Sequence, residues 1–293
     1  MKKISEINDE HKIDLYQEYR RVEEEFSERK FIHQLVSKDL YDADLYLSVS
    51  ECLDQNYFQT WSLSDTYTDI EDMRANLGLK KGTITQNNIT EDVFISFLQF
   101  AYNCFFQVQN SLDRNREPFV DPADIDAFIQ FAMTLIERLC SKLTYGIEQD
   151  LSTLEFFMFK KSELQSQVEE ESPSLADSIH QYQRIDSKGD LTRKAEILCT
   201  LYKTLESYNF KGTEFQNLYS DATFLFNKSG IRHSVEADKV AAQTFEQMAD
   251  EQKEKWYDSA FGLFLTCTVV NKHYIPLKHD LKLLRQGNNP GIS

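Results

Sequence analysis

The chain has 293 residues, with 32 Lys and Arg against 48 Asp and Glu for a formal charge of -16, and only 9 Gly and 5 Pro. Gly and Pro are thus about 5% of the chain, under half of the roughly 12% of average usage. This excludes collagen-like, linker-rich and many-turned all-β architectures, which need residues that accept positive φ or punctuate short strands.

Hydrophobic residues at 41% and aromatics at 13% suffice for a buried core. The expectation is an all-α, multi-helix bundle of two packed helical subdomains, because single cores stop growing at about 250–300 residues. An acidic subdomain is expected over residues 1–150. A second is expected over 151–293, with a disordered tail at 286–293.

Residues 5 to about 54 show helical periodicity with dense charge, with a break expected near Ser37. The run Arg20-Arg21-Val22-Glu23-Glu24-Glu25-Phe26 reads as the solvated face of a surface helix. Residues 55–65 read as a loop, followed by a short helix with a capping box from Thr68 to Glu71 and a stop at Gly78. The polar stretch 80–90 is the best internal boundary.

Thr90 then caps a helix whose stripe Phe94, Phe97, Leu98, Ala101, Phe105 and Val108 follows helical spacing. Asp121-Pro122 opens another, apolar on several faces, that runs to about Tyr145 and stops at Gly146. Asp150 opens a helix to about Glu171. No convincing strand alternation is present.

Further helices are expected from Leu175 to about Ile185, from Leu191 to Tyr208 capped by Asp190, and from Glu214 to about Phe226. Residues 227–233 read as an interruption before a helix starting near Ser234. The last strong helix runs from about Asp250 to Asn271, with Trp256, Ala260, Phe261, Phe264 and Leu265 inward and Pro276 breaking it.

The five cysteines, Cys52, Cys104, Cys140, Cys199 and Cys267, never form CxxC and read as reduced core residues. The N-terminus has no signal-peptide apolar region, and the longest apolar run, residues 261–270, is too short to span a bilayer. A cytoplasmic chain that does not enter the membrane is expected. Residues 31–150 hold 8 basic and 19 acidic side chains, whereas 151–293 hold 17 and 20. An acidic surface repels phosphate backbones, so any RNA contact belongs to the C-terminal half, where residues 272–285 carry four basic side chains and one acid.

Common enzymatic templates are missing: there is no phosphate loop, GxGxxG, GxSxG, HExxH or CxxC. No cofactor and no metal are expected. Asp177-x-x-His180 is unpaired and reads as a partly exposed polar helix face, and Cys267, His273 and His279 lack the pairwise spacing of a zinc site. A cysteine nucleophile served by a distant histidine stays open.

One segment has a chemical look: Phe226-Asn227-Lys228-Ser229-Gly230-Ile231-Arg232-His233-Ser234. A loop of this kind presents imidazole and guanidinium at a helix N-terminus, where a phosphate is also favoured. His233 suits proton transfer near pH 7, and Arg232 suits charge developing on a phosphodiester.

The segment resembles the signature of HEPN-type helical domains of bacterial toxins and abortive-infection proteins, over nine residues directly and about 190–285 by helix pattern. The resemblance implies a bundle that dimerises so that two such loops form a composite, metal-independent RNase site. Asn227 and His233 take the signature's polar and histidine positions, while its arginine position holds Phe226 and Arg232 stands beside His233. Either the domain is a non-cleaving relative or Arg232 acts from a different angle. Two other readings stand beside this one: a surface turn in which Asn227 and Gly230 end a helix, and a non-enzymatic helical interaction or regulatory subunit that binds a protein partner or a second copy. A third, an acidic decoy of nucleic acid, needs the 31–150 charges on one face.

Overall fold

The computed structural model describes residues 13–30, 32–38, 41–57, 67–114, 122–228 and 244–286. Helices dominate these residues, and the chain divides into two compact units, residues 1–158 and 159–293.

The first unit opens with α1 (Leu15–Glu23), whose N-cap Asp14 accepts from the Tyr16 and Gln17 amides. A π-turn over Glu24–Glu28 follows, then an antiparallel hairpin of β1 (Ile32–Lys38) and β2 (Tyr41–Leu47), and α2 (Val49–Cys52). The long helix expected to residue 54 is therefore interrupted by two strands, and Ser37 lies within β1. Of residues 32–47 only Ile32, Val36, Tyr41 and Tyr46 are β-branched or aromatic, so strand propensity does not announce the hairpin and the pattern suits either period. The residues between the strands, Asp39 and Leu40, include none of the Gly or Asn that announces a hairpin turn.

A π-turn over Leu53–Tyr57 takes part of the expected loop, whose remaining residues lie outside the described ones. The cap of α3 (Ile70–Asn76) is shifted one residue from the expected box: Asp69 accepts from the Asp72 amide, and Asp72 accepts from the Thr68 amide. Gly78 ends this helix at φ 71°, a conformation that favours glycine. Residues 80–90 belong to the first unit and divide nothing. Ile84 is buried there, and Asn88 bonds both the Thr85 amide and the Thr83 carbonyl.

Thr90 caps α4 (Glu91–Arg114) through a 3.3 Å bond from the Val93 amide, and all six residues of its expected stripe are fully buried. Rings from α1 and the first π-turn meet that stripe edge-on, Tyr19 against Phe97 at 4.7 Å and Phe26 against Phe105 at 6.0 Å. Pro122 is the first residue of α5 (Pro122–Lys142), which packs along α4; Asp121 lies outside the described residues.

Beyond α5 the chain forms β3 (Tyr145–Gln149) and β4 (Phe156–Lys160), so Gly146 is a strand residue and no helix begins at Asp150. The run Phe156-Phe157-Met158-Phe159 is apolar at every position, which fits a strand buried on both faces. Its open edge is capped by amides on α4. Asn103 donates to the Phe156 carbonyl and accepts from its amide, both at 2.7 Å, while Gln99 accepts from the Met158 amide at 2.7 Å. These amides satisfy the backbone at Phe156 and Met158, while Phe159 makes an antiparallel bridge to Arg184.

The second unit comprises α6 (Glu163–Glu171), α7 (Ala176–Gln183), α8 (Leu191–Leu205), α9 (Gln216–Lys228), α10 (Asp250–Val269) and α11 (Ile275–Arg285). Asp190 caps α8 as expected, through the Arg193 amide at 2.9 Å. Helix α10 packs against α6, α8 and α9, placing Ala260, Phe261, Phe264 and Leu265 in the core. Trp256 is instead 45% exposed, because its neighbour Tyr257 takes the inward position against Phe245.

Pro276 does not end the helical path. The chain passes from α10 through a π-turn over Val270–Tyr274 into α11, with Pro276 in the first turn of the new helix. The π-turn makes this possible: it carries the Ile275 amide back to the Val270 carbonyl, and its wider turn leaves room for a proline ring that has no N–H to continue the ladder. Gln286 caps α11; the rest of the expected tail lies outside the described residues.

Candidate functional site

Of the three residues singled out in the sequence, Asn227 alone is described: it is exposed and is the next-to-last residue of α9. The helix therefore runs two residues past Phe226, so Asn227 and Lys228 do not belong to the expected interruption, whose remaining residues lie outside the described ones. Phe226, standing where the HEPN-type signature has arginine, is fully buried against Tyr202, ring to ring at 5.1 Å. Arg232 and His233 lie outside the described residues, as does the helix expected near Ser234.

The cysteines divide four to one: Cys199 is partly exposed and the others are buried, and none forms a disulfide. Burial pushes the Cys140 and Cys267 thiols up to about 12 and the Cys104 thiol well above its ordinary value. A thiolate is the nucleophile and the ligand, so these three are poorly suited to either role. Cys267 sits in the core, while His273 Nδ1 lies 3.7 Å from Glu171 Oε1 and His279 is exposed on α11. Among the described residues no three His, Cys, Asp or Glu side chains are grouped to hold a metal ion.

His180 lies on the partly exposed polar face expected for it, but its ring is tied inward. Its side chain is 14% exposed, its Nε2 lies 2.8 Å from Glu169 Oε1, and its ring stacks on Phe159 at 4.0 Å. The Gln165 amide donates to the same Glu169 oxygen at 2.9 Å. Glu169 is on α6 and His180 on α7, so the pair ties two helices together and orients the imidazole.

Two further polar clusters escaped the sequence reading. In the first unit, buried Arg74 donates to both oxygens of Glu23, at 3.0 and 2.8 Å, and to the Leu79 carbonyl, with the Phe26, Phe97 and Phe100 rings around it. Burial works against this guanidinium's charge, but the Glu23 bonds outweigh it and hold its pKa above the ordinary value. Glu23, Val22 and Phe26 are all buried, so the run read as a solvated face is half a core face. Nothing local distinguishes Arg74 or Glu23 from surface charges; their partner is 51 residues away.

In the second unit, Lys194 Nζ lies 2.8 Å from Glu254 Oε1 and 2.9 Å from Asp258 Oδ1, which also accepts from the Tyr182 hydroxyl. The Tyr182 ring stacks on Phe261 at 4.2 Å, and burial pushes the Tyr182 hydroxyl far up, so it stays a donor. This cluster joins α7, α8 and α10. Like the Arg74 cluster, it pairs charges that burial would otherwise penalise.

One open part of the second unit, among the described residues, is α11. None of its residues is buried. Leu277, Leu281 and Leu284 are 45%, 42% and 55% exposed, and their spacing of four and three residues puts them on one helix face. Ile275, partly buried, packs on the core, and Tyr274 meets Phe215 edge-on at 5.2 Å. Lys278 reaches Glu214 at 2.6 Å. The helix is therefore held at its first turn, and a leucine strip faces outward along it. Among the described residues no helix is long and apolar enough to cross a membrane. No family model, no curated protein and no solved structure matches the chain, so what it does has to be argued from these residues alone.

Proposed function

We propose that this chain is a non-enzymatic helical interaction or regulatory subunit that recognises its partner through α11. The single observation behind this reading is the leucine strip of α11. Isolated exposed leucines are ordinary, but three on one face of a helix with no buried residue are an apolar patch of the kind that marks docking sites. The polar clusters of both units pair their charges internally, as structural clusters do.

Proximity labelling in living cells tests it. Proteins labelled by the native chain should lose labelling when Leu277→Glu and Leu281→Glu are introduced together, with the far-UV circular dichroism unchanged. Identical labelling by both chains would overturn the reading.

A second reading keeps the HEPN-like effector: an RNA-directed protein of bacterial defence or toxin systems, acting in the cytoplasm as a dimer. It is supported by the segment carrying Asn227, Arg232 and His233, and by the four basic residues against one acid over 272–285. In that reading His233 moves the proton and Arg232 steadies charge on the phosphodiester. Cleavage of total RNA in chelator by the native protein, abolished by His233→Ala, is the expected result. No cleavage by either protein removes the nuclease form.

A further inference from the structure

We propose that the outward face of α11 is a docking strip for an amphipathic helix of a protein partner, one that flanks its own apolar stripe with carboxylates. The inference rests on the interaction reading above and adds the chemistry of the occupant.

The apolar half of the argument is the spacing. Leu277, Leu281 and Leu284 occupy successive d, a and d positions of a heptad, the pattern that accepts the knobs of a facing helix. A flat or irregular surface would have no use for that register. The strip is narrow, so it fits one helix laid alongside rather than a groove filled from above.

The charged half is the flanks. Lys278 and Arg285 stand at e positions beside the strip and Asp280 at a g position, while Lys282 lies further round the helix and Lys272 in the preceding π-turn; together they give residues 272–285 four cations against one acid in a chain whose formal charge is -16. A concentrated positive segment on an acidic protein selects for anionic partners and repels copies of itself. Pairing α11 with α11 of a second copy would bring two sets of three cations together. The chain's own acids show the preferred contact at the first turn, where Glu214 takes Lys278 at 2.6 Å. Further along, Lys282 and Arg285 have no ion pair among the described residues, and both are exposed. A nucleic acid would satisfy these cations but leave three leucines in water. A partner helix with acidic flanks satisfies both.

The test uses the full chain and two fluorescent synthetic helical peptides of roughly three heptads, with Leu at a and d and either Glu or Lys at e and g. Anisotropy should show the Glu peptide binding at least about tenfold more tightly than the Lys peptide, with the difference shrinking as salt is raised. Leu281→Glu should weaken the Glu peptide by at least about tenfold with circular dichroism unchanged, and Lys278→Glu with Arg285→Glu should reverse the preference. Equal binding of the two peptides, or binding indifferent to Leu281→Glu, overturns the inference. So does tighter, Leu281-dependent binding to phosphatidylglycerol vesicles or single-stranded RNA than to the Glu peptide. Loss of peptide selectivity while Leu277- and Leu281-dependent labelling persists sinks only the acidic helix; loss of both sinks the interaction reading too.

Discussion

Helices α4 and α11 both carry apolar residues at helical spacing, yet every stripe residue of α4 is fully buried while the leucines of α11 are 42–55% exposed. The difference is what stands opposite. Around α4 the rings of Tyr19 and Phe26 and the whole of α5 supply covering surface, whereas α11 is joined to its unit mainly through Ile275, Tyr274 and the Lys278–Glu214 pair. Periodicity says that a helix has an apolar side. It does not say whether the cover comes from the same chain.

The contrast can be broken first at α4. Phe105→Ala should cost about 3–5 kcal/mol in urea unfolding, the range for emptying a fully buried aromatic site. A loss below about 1 kcal/mol would mean that the α4 stripe is not the core it looks like.

Next in size is the cation buried beside that stripe. Arg74→Met leaves the Glu23 carboxylate buried without its partner and should cost about 3 kcal/mol or more, while adding Glu23→Leu should restore much of the loss. If the double variant is no better than the single one, the Arg74 contribution is packing against its three rings and not charge.

A smaller effect is expected at Glu254. Burial opposes its charge, but the Lys194 ammonium and the Gly189 N–H outweigh burial and hold its carboxyl below the ordinary carboxylate range. Because the folded value is lower than the unfolded one, the ionised group stabilises the fold above about pH 4.3, and that contribution is lost as pH falls through the lowered value. Glu254→Gln should flatten this acid limb in a series of thermal melts. An unchanged limb would place the acid sensitivity elsewhere.

The smallest effect sharpens the comparison from the other side. Leu281→Ala on α11 should change stability by no more than about 0.5 kcal/mol, as exposed positions do. A loss near that of Phe105→Ala would show the strip to be covered, and the docking proposal would go with it.

Much of the helical order is legible in the residues. The Phe94–Val108 stripe, the Thr90 and Asp190 caps, Pro122 at a helix start and Gly78 at a helix stop are local signals, and each is met in the structure. The hairpin of β1 and β2, the pair β3 and β4, and the passage through Pro276 are not local in that sense. No Gly, Pro or Asn stands between either pair of strands, and β4 is finished by amides contributed from α4, 53 residues before Phe156. The buried Arg74–Glu23 pair is hidden for the same reason: two charged residues far apart in the chain look solvated until the fold brings them together.

The candidate site was legible only in outline. The basic bias of 272–285 can be counted from composition, but the exposure of Leu277, Leu281 and Leu284 cannot, because Pro276 hides the continuation of the helix and burial depends on neighbours. By itself the sequence determined that the chain is mainly helical, where most of its helices begin, and that its net negative charge lies largely in residues 31–150, since caps, periodicity and charge act over a few residues. Only the tertiary structure decided which charges are sealed, which strand edges are satisfied and which apolar face is left open. Those depend on contacts between residues tens of positions apart, and desolvation acts on the assembled surface rather than on the order of the residues.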